Sequence, residues 1–503
     1  MKKKKFGYCS ARLFAIGVVF SLLGCVGEGD GPVMTVEPSG NDAHKPLSTP
    51  IDGEGSKTPP ALARPALQNA APSLPVSDKG PNVILLLVDT LRADRLGCYG
   101  HKVDTSPGID AFAKEAVLFE HAYAAAPWTL PSVASIMTGR YPSVMGITDD
   151  LVILDEKFTS IAEMLHANGY YTGSIISHHL VGKQYNMHRG FEFYNDDNIQ
   201  KSSIHISSQG VTDVGIQFLN DLKGDKPFFL YMHYFDPHYK YVMHAILDTY
   251  PGFNGLLEPR MSIHHLRMLA EKGFFTEDDL KYLSALYDSE VRYTDYHIER
   301  FLNELRRLGL YDNSLIIFVA DHGEELAERS DAWIGHSRKM TEEQIHVPLI
   351  IKLPEMKEGR QIADPVSLVD IYPTIAELTG ATGADHIDGV PLDLSGSGKG
   401  RKYVYSETFR WANRQAVISG EWKLVHDDNK KKNELFNLTK DPYTHTDLSK
   451  VKKELVDELS KERDVFAEGI QHTIAKMGVV FKRPEISQDE QTRLFHLGYI
   501  RHH

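Results

Sequence analysis

The chain has 503 residues, 42% of them apolar and 24% charged, and a formal charge of −13. That length can bury a large core, the composition is ordinary for a globular protein, and the acidic balance excludes a broad basic footprint for nucleic acid. Of three cysteines, Cys9 and Cys25 lie in the first 25 residues, so Cys98 is the one thiol of the folded part. No disulfide framework can form within one chain.

The N-terminus reads as a targeting segment. Lys2 to Lys5 supply a positive n-region, and LFAIGVVFSLLG (13–24) an apolar h-region too short to span a bilayer comfortably. It ends at LLGC (22–25), which resembles a bacterial lipobox, with Leu23 in place of the usual small residue. Residues 1–25 are therefore expected to be a lipoprotein signal peptide, with Cys25 lipidated and the protein exported to the bacterial envelope. Val26 and Gly27 carry no aspartate signal for inner-membrane retention, which favours the outer membrane. An ordinary signal peptide or an uncleaved anchor are the alternatives. Residues 26–80, rich in Pro, Gly, Ser, Ala and Asp, read as a flexible tether.

From Pro81 onward apolar runs alternate with helical patterns. NVILLLV (82–88), PFFLYMH (227–233), SLIIFVA (314–320) and VPLIIKL (347–353) have the uninterrupted apolar character of buried strands. Helical spacing covers 159–169, stopped by Gly169, and 283–309, where Val291, Ile298, Leu302 and Leu305 share one face. Strands separated by helices predict an α/β fold over 81–400, a large, mostly parallel sheet sandwiched by helices. Sites in such sheets gather at the carboxyl ends of the strands. There the runs end in Asp89, in His233, Asp236 and His238, and in Asp321 and His322. Each alone suits a turn; converging carboxylates and imidazoles suit a divalent cation. Residues 401–503 change texture, with short strand-like pieces (402–407, 415–420, 421–427) before a Lys/Glu-rich helix near 450–477, and read as a small α+β subdomain. DNKKKN (428–433) reads as a solvated hairpin tip.

Several motifs in order carry a family resemblance: NVILLLVDTLRADRLGCYG (82–100), TLPSVASIMTGRYP (129–142), PFFLYMHYFDPH (227–238), ADHGEEL (320–326), GHSRKMTEEQIHVPLII (335–351), VDIYPTIAELTG (369–380), ELFNLTKDP (434–442) and LFHLGYI (494–500). Their order and spacing resemble the sulfatase family of the alkaline phosphatase superfamily. The resemblance implies an alkaline phosphatase-like fold and one divalent metal, calcium by family pattern with manganese or zinc compatible. It implies Asp89, Asp321 and His322 as metal ligands and Thr129 at the nucleophile position, also touching the metal. It implies Arg140 of the Thr-Gly-Arg element near the nucleophile, and His238, His336 and His179 as cationic or proton-donating groups around the ester. His233 is open between support and packing.

The chain departs from that pattern in ways that agree with one another. Formylglycine maturation needs Cys or Ser where Thr129 stands, and usually Arg where Val133 stands. Oxidising threonine would give a ketone, so no formylglycine is expected. Ser177 and His336 stand where the family often has lysine. A metal-activated threonine remains a competent nucleophile. The expectation is a metal-dependent hydrolase of sulfate or phosphate esters acting through Thr129, on a small-molecule, glycan or lipid-headgroup substrate. A phosphotransferase or phosphodiesterase of the envelope, an inactive ligand-binding pseudo-sulfatase and a tethered scaffold are the alternatives. The segment 239–274 is the candidate lid, with Tyr, His and Arg that could cover a headgroup.

Overall fold

The computed structural model describes residues 80–496 apart from 149–150, 202–206, 225, 384–385, 399 and 486. The signal peptide with Cys25, nearly all of the tether, and the last residues of the LFHLGYI motif lie outside the described residues. The described part belongs to one unit of the chain, 60–503.

The buried runs form the centre of a mixed sheet. Its strands are β1 (Asn82–Val88), β2 (Val117–Tyr123), β3 (Tyr171–Ile175), β4 (Phe193–Asn195), β5 (Phe228–Tyr234) and β6 (Ser314–Ala320). After a short hairpin, β7 (Glu325–Leu326) with β8 (Ile334–Gly335), come β9 (His346–Lys352), β10 (Arg360–Ile362) and β11 (Val366–Ser367). The order is β10-β2-β9-β6-β1-β5-β3-β4, with β11 also paired to β2. Every residue of β1, β5 and β6 is buried, as strands covered on both faces must be.

Only β9 runs against the others, antiparallel to both β6 and β2. The apolar run at 347–353 reads as one more buried strand, but periodicity carries no direction. Between β6 and β9 there is no long crossover helix, only the β7–β8 hairpin and one helical turn, Glu342–Ile345, so the chain returns antiparallel. The expected helices are present as Ile161–Ala167, capped by a reciprocal Ser160–Glu163 pair, and Glu277–Arg307, capped by Thr276 and Asp279. The C-terminal part is an antiparallel sheet of β12 (Val404–Thr408), β13 (Arg414–Ser419), β14 (Trp422–Asp427) and β15 (Lys432–Asn437), followed by the helix Lys453–Met477. It docks on the large sheet where the Glu407 N–H donates to the Ala125 carbonyl (2.9 Å) and the Thr408 hydroxyl to the Ser337 carbonyl (2.8 Å).

Parallel alignment brings the ends of β1, β5 and β6 together, with Val88 opposite Tyr234 and Ala320. Thr90 turns sharply there with φ of 54°, a left-handed conformation unfavourable for a β-branched residue. The turn is held from the long helix, where the Tyr287 hydroxyl donates to the Thr90 carbonyl (2.7 Å) and accepts from the Arg92 N–H (3.0 Å). Tyr287→Phe leaves the buried Arg92 N–H unsatisfied. Its expected effect is a loss of about 1–3 kcal/mol of stability, read from the urea midpoint at constant m.

Candidate active site

Three elements meet at the carboxyl edge of the sheet. β1 delivers Asp89, β6 delivers Asp321 and His322, and the helix Thr129–Thr138 presents Thr129 in its first turn. The Ser132 hydroxyl anchors this helix by donating to the Asp321 carbonyl (2.6 Å). The N-terminal end of a helix favours negative charge, and here it faces the site. Asp89, Thr129, Asp321 and His322 are all 0% exposed.

The polar atoms are arranged against ordinary hydrogen-bonding logic. His322 Nδ1–H donates to the Gly323 carbonyl (3.0 Å), which leaves the lone pair on Nε2. That lone pair lies 3.6 Å from Asp89 Oδ1, 3.5 Å from Asp321 Oδ2 and 3.3 Å from Thr129 Oγ1. Both Asp89 carboxylate oxygens and Asp321 Oδ2 are buried with no hydrogen-bond partner. Acceptors facing acceptors out of water repel unless a cation or a proton lies between them. One atom from each of Asp89, Asp321 and His322 falls within 4.8 Å of the others, a donor set of two oxygens and one imidazole that fits a divalent cation.

Titration reflects the same conflict. Burial pushes the Asp89 carboxyl well above its usual range, aided by the negative charges of Asp321 and Glu324. Burial raises Asp321 to about 8, although the N–H groups of His322 (2.8 Å) and Thr90 (3.3 Å) both donate to its Oδ1. Burial and the neighbouring imidazoles hold His322 and His178 far below the usual histidine range.

Around this cluster stands a ring of imidazoles. His238 Nδ1–H donates to the Tyr239 carbonyl (2.9 Å) and His336 Nδ1–H to Glu324 Oε1 (3.0 Å), so each carries its lone pair on Nε2. Their rings are 5.1 Å apart, and that of His336 is 4.5 Å from His322. Burial lowers the proton affinity of both, which favours their neutral forms. His233 is fully buried, its Nε2 3.8 Å from Asp89 Oδ2, and burial lowers it to about 3. It belongs to the site's wall. Asp236, by contrast, turns to Ser207 and Ser208 and serves the loop.

The sulfatase family model matches residues 81–381, and a model of the C-terminal part of N-sulphoglucosamine sulphohydrolase matches 332–465. The chain belongs to the sulfatase family. Among relatives of this sulfatase, N-acetylglucosamine-6-O-sulfatase of Bacteroides thetaiotaomicron is 24% identical, over 80% of this chain and 89% of its own. Iduronate 2-sulfatase of Homo sapiens is 28% identical, over 59% of this chain and 69% of its own. A structure solved with D-glucosamine-2-N,6-O-disulfate superposes with a TM-score of 0.63 at 23% identity, covering 79% of this chain and 99% of that one. The phosphonate monoester hydrolase of Agrobacterium radiobacter gives 0.62 at 20% identity, covering 82% and 99%. The last two share the fold. Sulfatases are ester hydrolases that generally use a metal ion, in keeping with the Asp–Asp–His cluster here.

Two residues implied by the resemblance lie elsewhere in this sulfatase. His179 turns to Gln184 (3.3 Å) and Glu490 (3.9 Å), and its neighbour His178 faces the site, with Nε2 3.9 Å from Asp89 Oδ2. His178 precedes, and His179 opens, a single helical turn (His179–Val181) that sends the two rings different ways, so a His-His doublet cannot be assigned from sequence. His178 Nδ1 accepts from the Leu180 N–H (2.9 Å), so its neutral form presents an Nε2–H to the site. Arg140 donates to Asp388 (3.2 Å), to the His386 carbonyl and to Met477 Sδ (2.9 Å). It follows the far end of the helix that Thr129 begins, about 15 Å away at 1.5 Å per residue, and pins the 386–388 loop. Glu324 was not legible as a site residue; only its contact with His336 reveals it.

The sign of the pH effect follows from Asp321. An unfolded aspartate titrates near 4, and the folded value is raised to about 8. Its stabilising contribution is therefore full below about pH 4 and lost as pH rises through about 8. Without divalent cation, Asp321→Asn is expected to be more stable than the parent at pH 8, with the advantage shrinking toward pH 5. Parallel melting curves for the two proteins across that range would contradict this.

Proposed function

We propose that this sulfatase hydrolyses sulfate esters of sugars with the Thr129 hydroxyl as nucleophile, and that Asp89, Asp321 and His322 hold a divalent cation. The observation that carries the reading is the His322 lone pair directed at two carboxylate oxygens and at the Thr129 hydroxyl. A cation held there would polarise the ester oxygens and lower the pKa of the alcohol. The sugar substrate is supported by relatives named for N-acetylglucosamine 6-sulfate and iduronate 2-sulfate ester cleavage.

Thr129 gives its proton to a neutral imidazole of the ring, His238 or His336, whose Nδ1–H is engaged so that Nε2 carries the accepting lone pair. Its oxygen attacks sulfur, the bond from sulfur to the sugar oxygen breaks, and the imidazolium returns the proton to that oxygen. Water then cleaves the threonine sulfate. His178 Nε2–H and the helix N-terminus offer positive edges to the anionic oxygens. Because Thr129 lacks the formylglycine route of sulfate expulsion, esters of phosphorus are the second reading, supported by the phosphonate monoester hydrolases that share the fold.

Nitrophenyl sulfate, nitrophenyl phosphate and a phenylphosphonate ester separate the two readings on the full-length protein with added calcium, manganese or zinc. Thr129→Ala is expected to lower kcat about a thousandfold or more on whichever ester is cleaved, and Asp321→Ala to abolish stoichiometric cation by elemental analysis. Unchanged turnover in Thr129→Ala overturns the nucleophile. Export with lipidation at Cys25 belongs to the same proposal and rests on the n-region, h-region and LLGC boundary. Metabolic labelling with a lipid precursor, absent in Cys25→Ala, is the expected result.

A further inference from the structure

Two arginines from outside the parallel core reach the outer ring of the site. Arg267 lies on the helix Ile263–Glu271 inside the segment 239–274. Its Nε–H donates to the Ile334 carbonyl (2.7 Å), and its guanidinium stacks on Trp333 with its carbon 4.2 Å from the ring centroid. A Cβ at Gly335, next to His336, would come within 2.3 Å of Arg267 Nη2. The bare glycine, at φ of +108°, therefore leaves the room this guanidinium occupies. Among the described residues no carboxylate pairs with Arg267, and neither of its terminal nitrogens makes a hydrogen bond.

Arg410 comes from the loop between β12 and β13 and is 3% exposed. Its guanidinium carbon stands 4.4 Å from the ring centroid of Trp128, the residue before Thr129. Ser337 ties these pieces together, its N–H donating to the Pro127 carbonyl (2.7 Å) and its carbonyl accepting from Thr408. Stacking engages the flat faces of a guanidinium and directs its N–H fork along the plane, the geometry that matches carboxylate and sulfate oxygens. Both positive charges act on His336 and on Tyr239. They belong to the layer outside the carboxylates and Thr129, where the cleaved ester would sit.

We propose that Arg267 and Arg410 form a guanidinium pair that binds a second anionic group of the substrate, so that the enzyme selects sugars carrying a sulfate or carboxylate beyond the ester it cleaves. This rests on the sugar-sulfate reading above. Arg267, half-buried with terminal nitrogens that make no hydrogen bond, is costly unless an anion completes it, and a second sulfate is the anion a sulfated glycan supplies.

The test reads binding, so that it stands apart from turnover. Full-length Thr129→Ala, loaded with divalent cation, is titrated calorimetrically with N-acetylglucosamine 6-sulfate and with glucosamine 2-N,6-O-disulfate. The expected preference for the disulfate is about tenfold or more, falling toward unity in Arg267→Gln and in Arg410→Gln while affinity for the monosulfate stays unchanged. That unchanged affinity also reports that each variant is folded. Arg410 is the more buried, so Arg267→Gln is the deciding variant should Arg410→Gln fail to fold. A preference that survives Arg267→Gln, an equal loss for both sugars, or no preference in the parent overturns the pair, whereas loss of the nucleophile's role would appear only in the Thr129 turnover assay.

Discussion

Two aspartates buried against each other, with both oxygens of Asp89 and one of Asp321 lacking a hydrogen-bond partner, are the constraint on which the site depends. Asp89 and Asp321 are fully excluded from water, and their unsatisfied oxygens converge on a histidine lone pair. In a low-dielectric interior such a cluster costs several kcal/mol unless charge of the opposite sign is supplied. The parallel sheet makes the arrangement persist, because β1 and β6 are adjacent and in register to their last residues, Val88 and Ala320. The local strain at Thr90 and the Tyr287 brace hold the following turn so that its N–H supports Asp321.

Successive layers offset that cluster from outside. The helix beginning at Thr129 turns its N-terminal end to the carboxylates and is locked to the sheet through Ser132. Imidazoles whose proton affinity burial lowers surround it: His178, His233, His238 and His336. Neutral rings line an anion site without adding a fixed charge and can take and return a proton. Glu324 is the exception in this ring, shared between the His336 Nδ1–H and the Tyr241 hydroxyl (2.7 Å), and it orients the histidine that stands where the family often has lysine.

The outermost layer is built by parts that are not in the parallel core. The segment 239–274 brings Arg267, and the C-terminal sheet brings Arg410, so the mouth of the site is shared between an insertion and a subdomain. Chemistry thus resides at strand ends and selectivity in appended pieces. Appended pieces are where chains that share a fold can differ.

Local sequence determined a good deal here. Uninterrupted apolar runs marked β1, β5 and β6, since strands buried on both faces have no other composition to use. Asp89, Asp321 and His322 were legible because they end those runs, and Thr129 through its place in the TLPSVASIMTGRYP (129–142) motif that carries the family resemblance. Each of these signals is contained in a few adjacent residues. Tertiary structure alone decided the direction of β9, which of His178 and His179 faces inward, the turning of Arg140 toward Asp388, and the arrival of Arg267 and Arg410 at the site. Those depend on connections and side-chain directions set by segments up to hundreds of residues apart, and a period of two or of 3.6 along the chain carries no record of them.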